Sequence, residues 1–171
     1  MNKRSVRNLH ASAGFLVASA AALGMFSDAA YAQTAKDLAG TWQAVTNVNT
    51  AADGKKTDAY GPDPKGMAIF SADGHYMITI LRNDLPKIAS NNRLQSTVDE
   101  DVAIARGSIA SYGTYSVADK VVTQMIEQST YPNWRGTEAK RDILTFNGDE
   151  MKFGFVSPRG GQSEITWKRM K

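Results

Sequence analysis

The chain has 171 residues, no cysteine, 42% apolar and 22% charged side chains, and 20 Lys and Arg against 17 Asp and Glu. Such a length and balance describe one folded domain rather than a disordered or multidomain chain. The lack of cysteine excludes a disulfide scaffold, a Cys-ligated zinc site and a thiol nucleophile, leaving the core alone to hold the fold.

In chain order, the first segment reads as an address. Lys3, Arg4 and Arg7 precede an uncharged run from Ala11 to Phe26, and Ala30-Tyr31-Ala32 places small residues at the two positions a signal peptidase reads. A basic start, a short apolar middle and an A-x-A end predict a secretory signal peptide over residues 1–32. The apolar run falls short of the ~20 residues that cross a bilayer and is interrupted by Ser12, Gly14 and Ser19, so no retained span is expected. With no Arg-Arg pair and with Gln33 rather than a cysteine after the cut, the expectation is an exported protein, periplasmic or secreted, without a membrane anchor. Three of the basic residues and one acidic residue lie in this leader. The domain at 33–171 is therefore close to neutral, with no electrostatic case for nucleic acid or an anionic membrane as partner.

Eight segments of alternating or β-branched character follow: Gly40–Asn49, Gly66–Ser71, His75–Arg82, Ser111–Val117, Val121–Ser129, Lys140–Phe146, Met151–Ser157 and Ser163–Met170. Between them stand Ala52-Asp53-Gly54, Ala72-Asp73-Gly74, Ala118-Asp119-Lys120 and Asn147-Gly148-Asp149, residues that tolerate positive φ or close a turn through a side-chain oxygen. Links this short cannot make parallel crossovers, so neighbouring strands are expected to be antiparallel. One stretch, Thr97 to Ala110, changes period: Val98, Val102, Ile104, Ala105 and Ile109 recur at spacings of three and four behind Asp99, Glu100 and Asp101. Acidic residues in the first turn suit a helix dipole, and Thr97 or Ser96 serves as the N-cap of one short helix.

Eight short antiparallel strands in a domain of this size favour closure into an up-and-down β-barrel, because closure removes exposed edges; an open β-sandwich is the alternative. An eight-stranded barrel has an interior that side chains fill or that holds one small ligand.

Particular phrases give this expectation a family. Leu38-Ala39-Gly40-Thr41-Trp42 opens the domain and Trp167-Lys168-Arg169 closes it. The G-x-W with a basic residue on the last strand resembles the lipocalin signature, which implies that Trp42 plugs one end of the barrel with Arg169 lying over it and Gly40 beside it. Tyr60-Gly61-Pro62-Asp63-Pro64-Lys65-Gly66, Phe70-Ser71-Ala72-Asp73-Gly74-His75-Tyr76, Tyr112-Gly113-Thr114-Tyr115 and Pro132-Asn133-Trp134-Arg135-Gly136 occur in that order. Together they resemble the bacterial lipocalin-like domain proteins over nearly all of Leu38 to Lys171. The resemblance implies a lipocalin-type barrel and does not by itself make any of these residues catalytic.

The chemistry available is limited. Beyond the leader there is one histidine, His75, at a hairpin mouth, and the carboxylates show no metal-ligand spacing. No catalytic motif, metal site or cofactor is expected. The binding chemistry lies in the strand faces. Tyr76, Ile78, Ile80 and Arg82 alternate on one strand, and Val121, Thr123, Met125, Glu127 and Ser129 on another, while Arg141 follows the Pro132–Gly136 turn. If these faces point inward, Arg82, Glu127 and Arg141 converge in one polar cluster, with a guanidinium ready to clamp a ligand carboxylate. Trp134 at the mouth and one of Tyr112 and Tyr115, which lie on opposite faces of one strand, complete the candidate pocket, with Tyr115 taken as the inward one. The function this pattern points to is non-covalent binding of one small apolar or amphipathic molecule. An isomerase or cyclase using Tyr76 or Glu127 as acid or base, and a filled barrel acting in protein interaction, are the other readings.

Overall fold

A computed structural model describes residues 33–157 and 160–171; the leader expected over residues 1–32 lies outside them. Thr34 opens the domain by capping a single turn, α1 (Ala35–Leu38), its backbone N–H and hydroxyl both donating to the Asp37 carboxylate. Four residues are too few for a helical period to show in sequence.

The strands are β1 (Gly40–Thr50), β2 (Lys56–Asp58), β3 (Lys65–Phe70), β4 (His75–Leu81), β5 (Ser108–Ala118), β6 (Val121–Ser129), β7 (Thr137–Phe146), β8 (Glu150–Val156) and β9 (Gln162–Arg169). All eight expected strands are present, and β2 is an addition: three exposed residues pairing with the end of β1. Each strand from β3 onward pairs antiparallel with the next, and β9 returns to β1 from Trp42↔Arg169 to Thr50↔Gln162, closing a barrel of eight strands. The other edge of β1 is shared, Gly40–Gln43 with β3 and Val48–Thr50 with β2.

The long connection after β4 carries α2 (Val98–Gly107), three residues shorter at its end than the period predicts because β5 begins at Ser108. Its start is a capping box: the Glu100 N–H donates to the Thr97 hydroxyl, and the Thr97 N–H donates to the Glu100 carboxylate at 2.7 Å. That bond, with a second from the Ala89 N–H, holds the Glu100 carboxyl below the usual carboxylate range.

Strand direction divides the barrel into two ends. The β3–β4, β5–β6 and β7–β8 turns gather with α1 at one end; α2, the β6–β7 turn and the β8–β9 turn gather at the other. At the first end Trp42 is fully buried, its indole N–H donating to the Leu38 carbonyl at 2.8 Å. Arg169 lies 4.1 Å over the Trp42 ring. Its guanidinium donates to the carbonyls of Gly148 (2.6 Å), Ala39 (2.7 Å) and Asp37 (2.7 Å). Gly40 explains its own place in the G-x-W phrase: at φ +137° a Cβ there would stand 2.6 Å from the Arg169 guanidinium. The Tyr115 hydroxyl shares its proton between the carbonyls of Ser71 and Ala35, fastening α1 to the barrel. The Trp42 indole, the Tyr115 hydroxyl and the Arg169 guanidinium of this plug each have a partner inside the protein.

Candidate functional site

Above the plug the interior opens into a cavity. Its walls come from inward-facing residues of β1, β4–β9 and from two connections, which bring in Tyr60 and Trp134. There is room for about 60 Å³ of water-sized occupants, within about 640 Å³ of atom-free space that includes the opening to solvent. In that measure one water needs ~10–15 Å³, so the inner space takes roughly four to six waters.

Most of the wall is apolar: Ile78 and Ile80 from β4, Ile109 from β5, Phe153 and Phe155 from β8, Ile165 and Trp167 from β9. Arg141 of β7 stands among them. Its guanidinium lies 4.2 Å over the Phe155 ring and 5.7 Å from the Trp134 ring. Burial pulls its pKa down to about 10, with the Tyr76 phenol acting in the opposite direction. Among the described residues it forms no ion pair, and the hydrogen bond it makes is a 3.5 Å contact to the Lys140 carbonyl. Taking a cation out of water without a counter-charge is costly. No carboxylate lines the cavity among the described residues.

Other polar atoms around this cation are equally unengaged by protein. Trp167 Nε1, Gln124 Nε2 and Asn47 Oδ1 are buried lining atoms with no hydrogen-bond partner among the described residues. The Tyr76 hydroxyl, beneath the cavity, has none either. Burial raises the Tyr76 pKa, while Ser111 and the charge of Arg141 act to lower it. The guanidinium and the indole N–H can only donate, so the cavity presents donors in excess.

The predicted cluster of three charges does not assemble. Arg141 faces inward as expected, but Arg82 has left the barrel: β4 ends at Leu81, and the Arg82 guanidinium pairs with the exposed Asp84 at 2.6 Å. It borders a separate outer groove beside α2, with Leu85, Val102 and Arg106. Glu127 is also outside. On β6 the inward residues are Val122, Gln124 and Ile126, the opposite parity to the one predicted. The two faces of β6 are both apolar enough, with Val121 and Met125 against Val122 and Ile126, for period two to leave the choice open, and a one-residue shift inverts every side chain. A bulge adds to this: Tyr112 pairs with Gln128 but Gly113 with Ile126, leaving Glu127 as the extra, solvent-facing residue. Gly113 is required there, since a Cβ would meet the Met125 carbonyl at 2.0 Å.

Of the remaining candidates, Trp134 borders the cavity from the 3₁₀ turn Pro132–Trp134 and packs edge-on against Tyr131. Tyr76 lies inside, below the lining. Tyr115 points inward but belongs to the plug, and Tyr112 is on the outer face. Sequence reasoning missed Gln124, Asn47 and Trp167. Inverting the parity of β6 would have brought in Gln124. Asn47 follows a bulge between Ala44 and Thr46 that resets the alternation of β1, and no residue type announces that bulge.

A model of the lipocalin-like domain family matches residues 39–170. A 4'-hydroxy-3'-methoxypropiophenone carrier protein of Aspergillus oryzae is 29% identical over a segment covering 53% of this chain and 93% of that protein. Among solved structures, a redesigned β-barrel is similar with a TM-score of 0.43 at 14% identity, covering 82% of this chain and 98% of the other. A mutant of the fluorescent protein UnaG gives a TM-score of 0.36 at 10% identity, with 80% and 98% covered.

Proposed function

The chain belongs to the lipocalin-like domain family, and from that premise we propose that it is a carrier, holding one small apolar or amphipathic molecule non-covalently inside the barrel. The observation that carries this reading is Arg141: a half-buried cation in an apolar wall, unpaired among the described residues, in a cavity with further unspent donors. A protein needing only a filled core gains nothing from such a residue, because apolar side chains of the same volume cost less. A ligand with an oxygen acceptor at one end, a carboxylate for example, satisfies the guanidinium, and its apolar body replaces water against the isoleucines and aromatic rings. The Aspergillus relative is named for carrying a small molecule, which supports the same class of function here.

Absence of a lining carboxylate among the described residues counts against general-base chemistry in this cavity. The leader pattern at residues 1–32 adds the proposal that the carrier works after export, in the periplasm or outside the cell. Native mass spectrometry of protein purified from its own host tests the carrier reading. A retained small molecule, lost on Arg141→Met, is the expected result; a chain that never retains or takes up any small molecule overturns it.

A further inference from the structure

We infer that the cavity selects its ligand by charge and by ring: it takes small single-ring aromatic oxyanions, arenecarboxylates or phenolates, in their ionised form, and discriminates against neutral molecules of the same shape. This rests on the carrier reading and deepens it.

Size comes first. The inner space, about 60 Å³, is smaller than the ~150 Å³ that encloses a benzene ring, so the ligand is no larger than a single ring and part of that ring extends toward the mouth beside Trp134. Shape comes next. Phe153, Phe155, Trp134, Trp167 and Tyr60 put five aromatic side chains around that space, and aromatic walls favour a flat partner that meets them edge-on or offset.

Charge completes the argument. Phe155 from β8 and Trp134 from the β6–β7 connection lie against the Arg141 guanidinium, Tyr76 from β4 acts on it electrostatically, and Ser111 from β5, Gln124 from β6 and Trp167 from β9 line the same cavity. None of these side chains is a carboxylate. Glu127 on the adjacent strand β6 and Asp142 next in sequence are both turned to solvent, although the Glu127 charge still acts to raise the Tyr76 pKa. A neutral acceptor would satisfy hydrogen bonds and leave the cation uncompensated; an oxyanion does both at once. With Trp167 Nε1 and Gln124 Nε2 also free to donate, the wall is built for an atom that carries several lone pairs and full charge.

Charge-assisted hydrogen bonds exceed neutral ones by enough to predict that benzoate binds about 10- to 100-fold tighter than benzyl alcohol. The same preference has an optical readout. 4-Nitrophenol ionises near neutrality and only its phenolate absorbs in the visible. Preferential binding of the phenolate lowers the apparent pKa of the bound probe by about one to two units, so colour develops on binding below the solution midpoint.

The experiment measures benzoate and benzyl alcohol affinities by calorimetry, and 4-nitrophenol absorbance against pH. It uses the wild-type chain, Arg141→Met and Arg141→Gln, with circular dichroism to establish that each variant is folded. Expected are tight benzoate, weak benzyl alcohol and a lowered nitrophenol midpoint in the wild type, all abolished in whichever variants fold. Equal affinity for benzoate and benzyl alcohol, or charge preference surviving both substitutions, overturns the inference and leaves the carrier reading standing. Failure of every aromatic probe while native mass spectrometry recovers a bound aliphatic molecule overturns the aromatic class alone. No probe bound and no molecule retained overturns both.

Discussion

The two ends of the barrel each hold an arginine stacked on an aromatic ring, Arg169 at 4.1 Å from Trp42 and Arg141 at 4.2 Å from Phe155. They differ in what surrounds the guanidinium. Arg169 spends its donors on three backbone carbonyls, so the closed end is finished as folded. Arg141 has a single long contact to a carbonyl, and its neighbours Trp167 and Gln124 are likewise unspent. Similar stacking geometry thus accompanies opposite states: at one end the cation is satisfied by backbone carbonyls, and at the other it is left without a counter-charge among the described residues.

The largest expected effect lies at the closed end. Removing the fully buried Trp42 ring in Trp42→Ala leaves a cavity under Arg169 and should cost about 3–5 kcal/mol, read by urea or thermal unfolding. A Trp42→Ala protein as stable as the parent would mean that the plug contributes nothing and would break the comparison at its first term. Arg169→Met follows in size. It strips charged donors from three carbonyls, and a loss of about 1.5–3 kcal/mol is expected.

The closed end was also the legible one. Its parts are marked by residue type: a glycine that must be glycine because Arg169 passes where its Cβ would be, a tryptophan two residues on, and an arginine at the far end of the chain. The open end depends on parity, which residue type does not mark. Arg141 is offered by its place after the Pro132–Gly136 turn, and the structure turns it inward with Ala139 and Ile143 on β7. Glu127 was misplaced because both faces of β6 are apolar and a bulge sits at that residue. Arg82 was misplaced because the alternation of β4 runs visually into it, although the strand stops one residue earlier and Asp84, two residues on, offers a pair in solvent. Strand existence follows from local pattern; strand facing is settled only when the sheet closes.

Arg141→Met sharpens the contrast by reversing its sign. Replacing an unpaired, half-buried cation with an apolar side chain of similar volume removes a desolvation cost and gives up the contact with Phe155. The balance should leave the protein more stable by about 1 kcal/mol, while ligand binding is lost. A thermal melt of Arg141→Met beside Arg169→Met is the direct comparison: one midpoint rises and the other falls. If both fall by the same amount, Arg141 is a structural residue like Arg169, and the distinction between the ends disappears.

The smallest expected effect tests the facing of β6, on which the unpaired state of Arg141 depends. Glu127 is exposed, and its carboxylate makes no ion pair among the described residues. Its removal in Glu127→Ala should change stability by less than about 0.5 kcal/mol, as surface substitutions do. Arg82→Ala gives up an exposed, solvent-screened pair with Asp84 and should leave the unfolding midpoint nearly unchanged. Neither should alter uptake of an anionic probe, since both side chains lie outside the cavity wall. The two variants carry more weight than their size suggests. Were β6 turned the other way, Glu127 would stand inside beside Arg141, and deleting it would strand a buried cation at a cost of about 3–5 kcal/mol. A loss of that size would give the open-end arginine a partner within the fold, and the two ends of the barrel would then be alike.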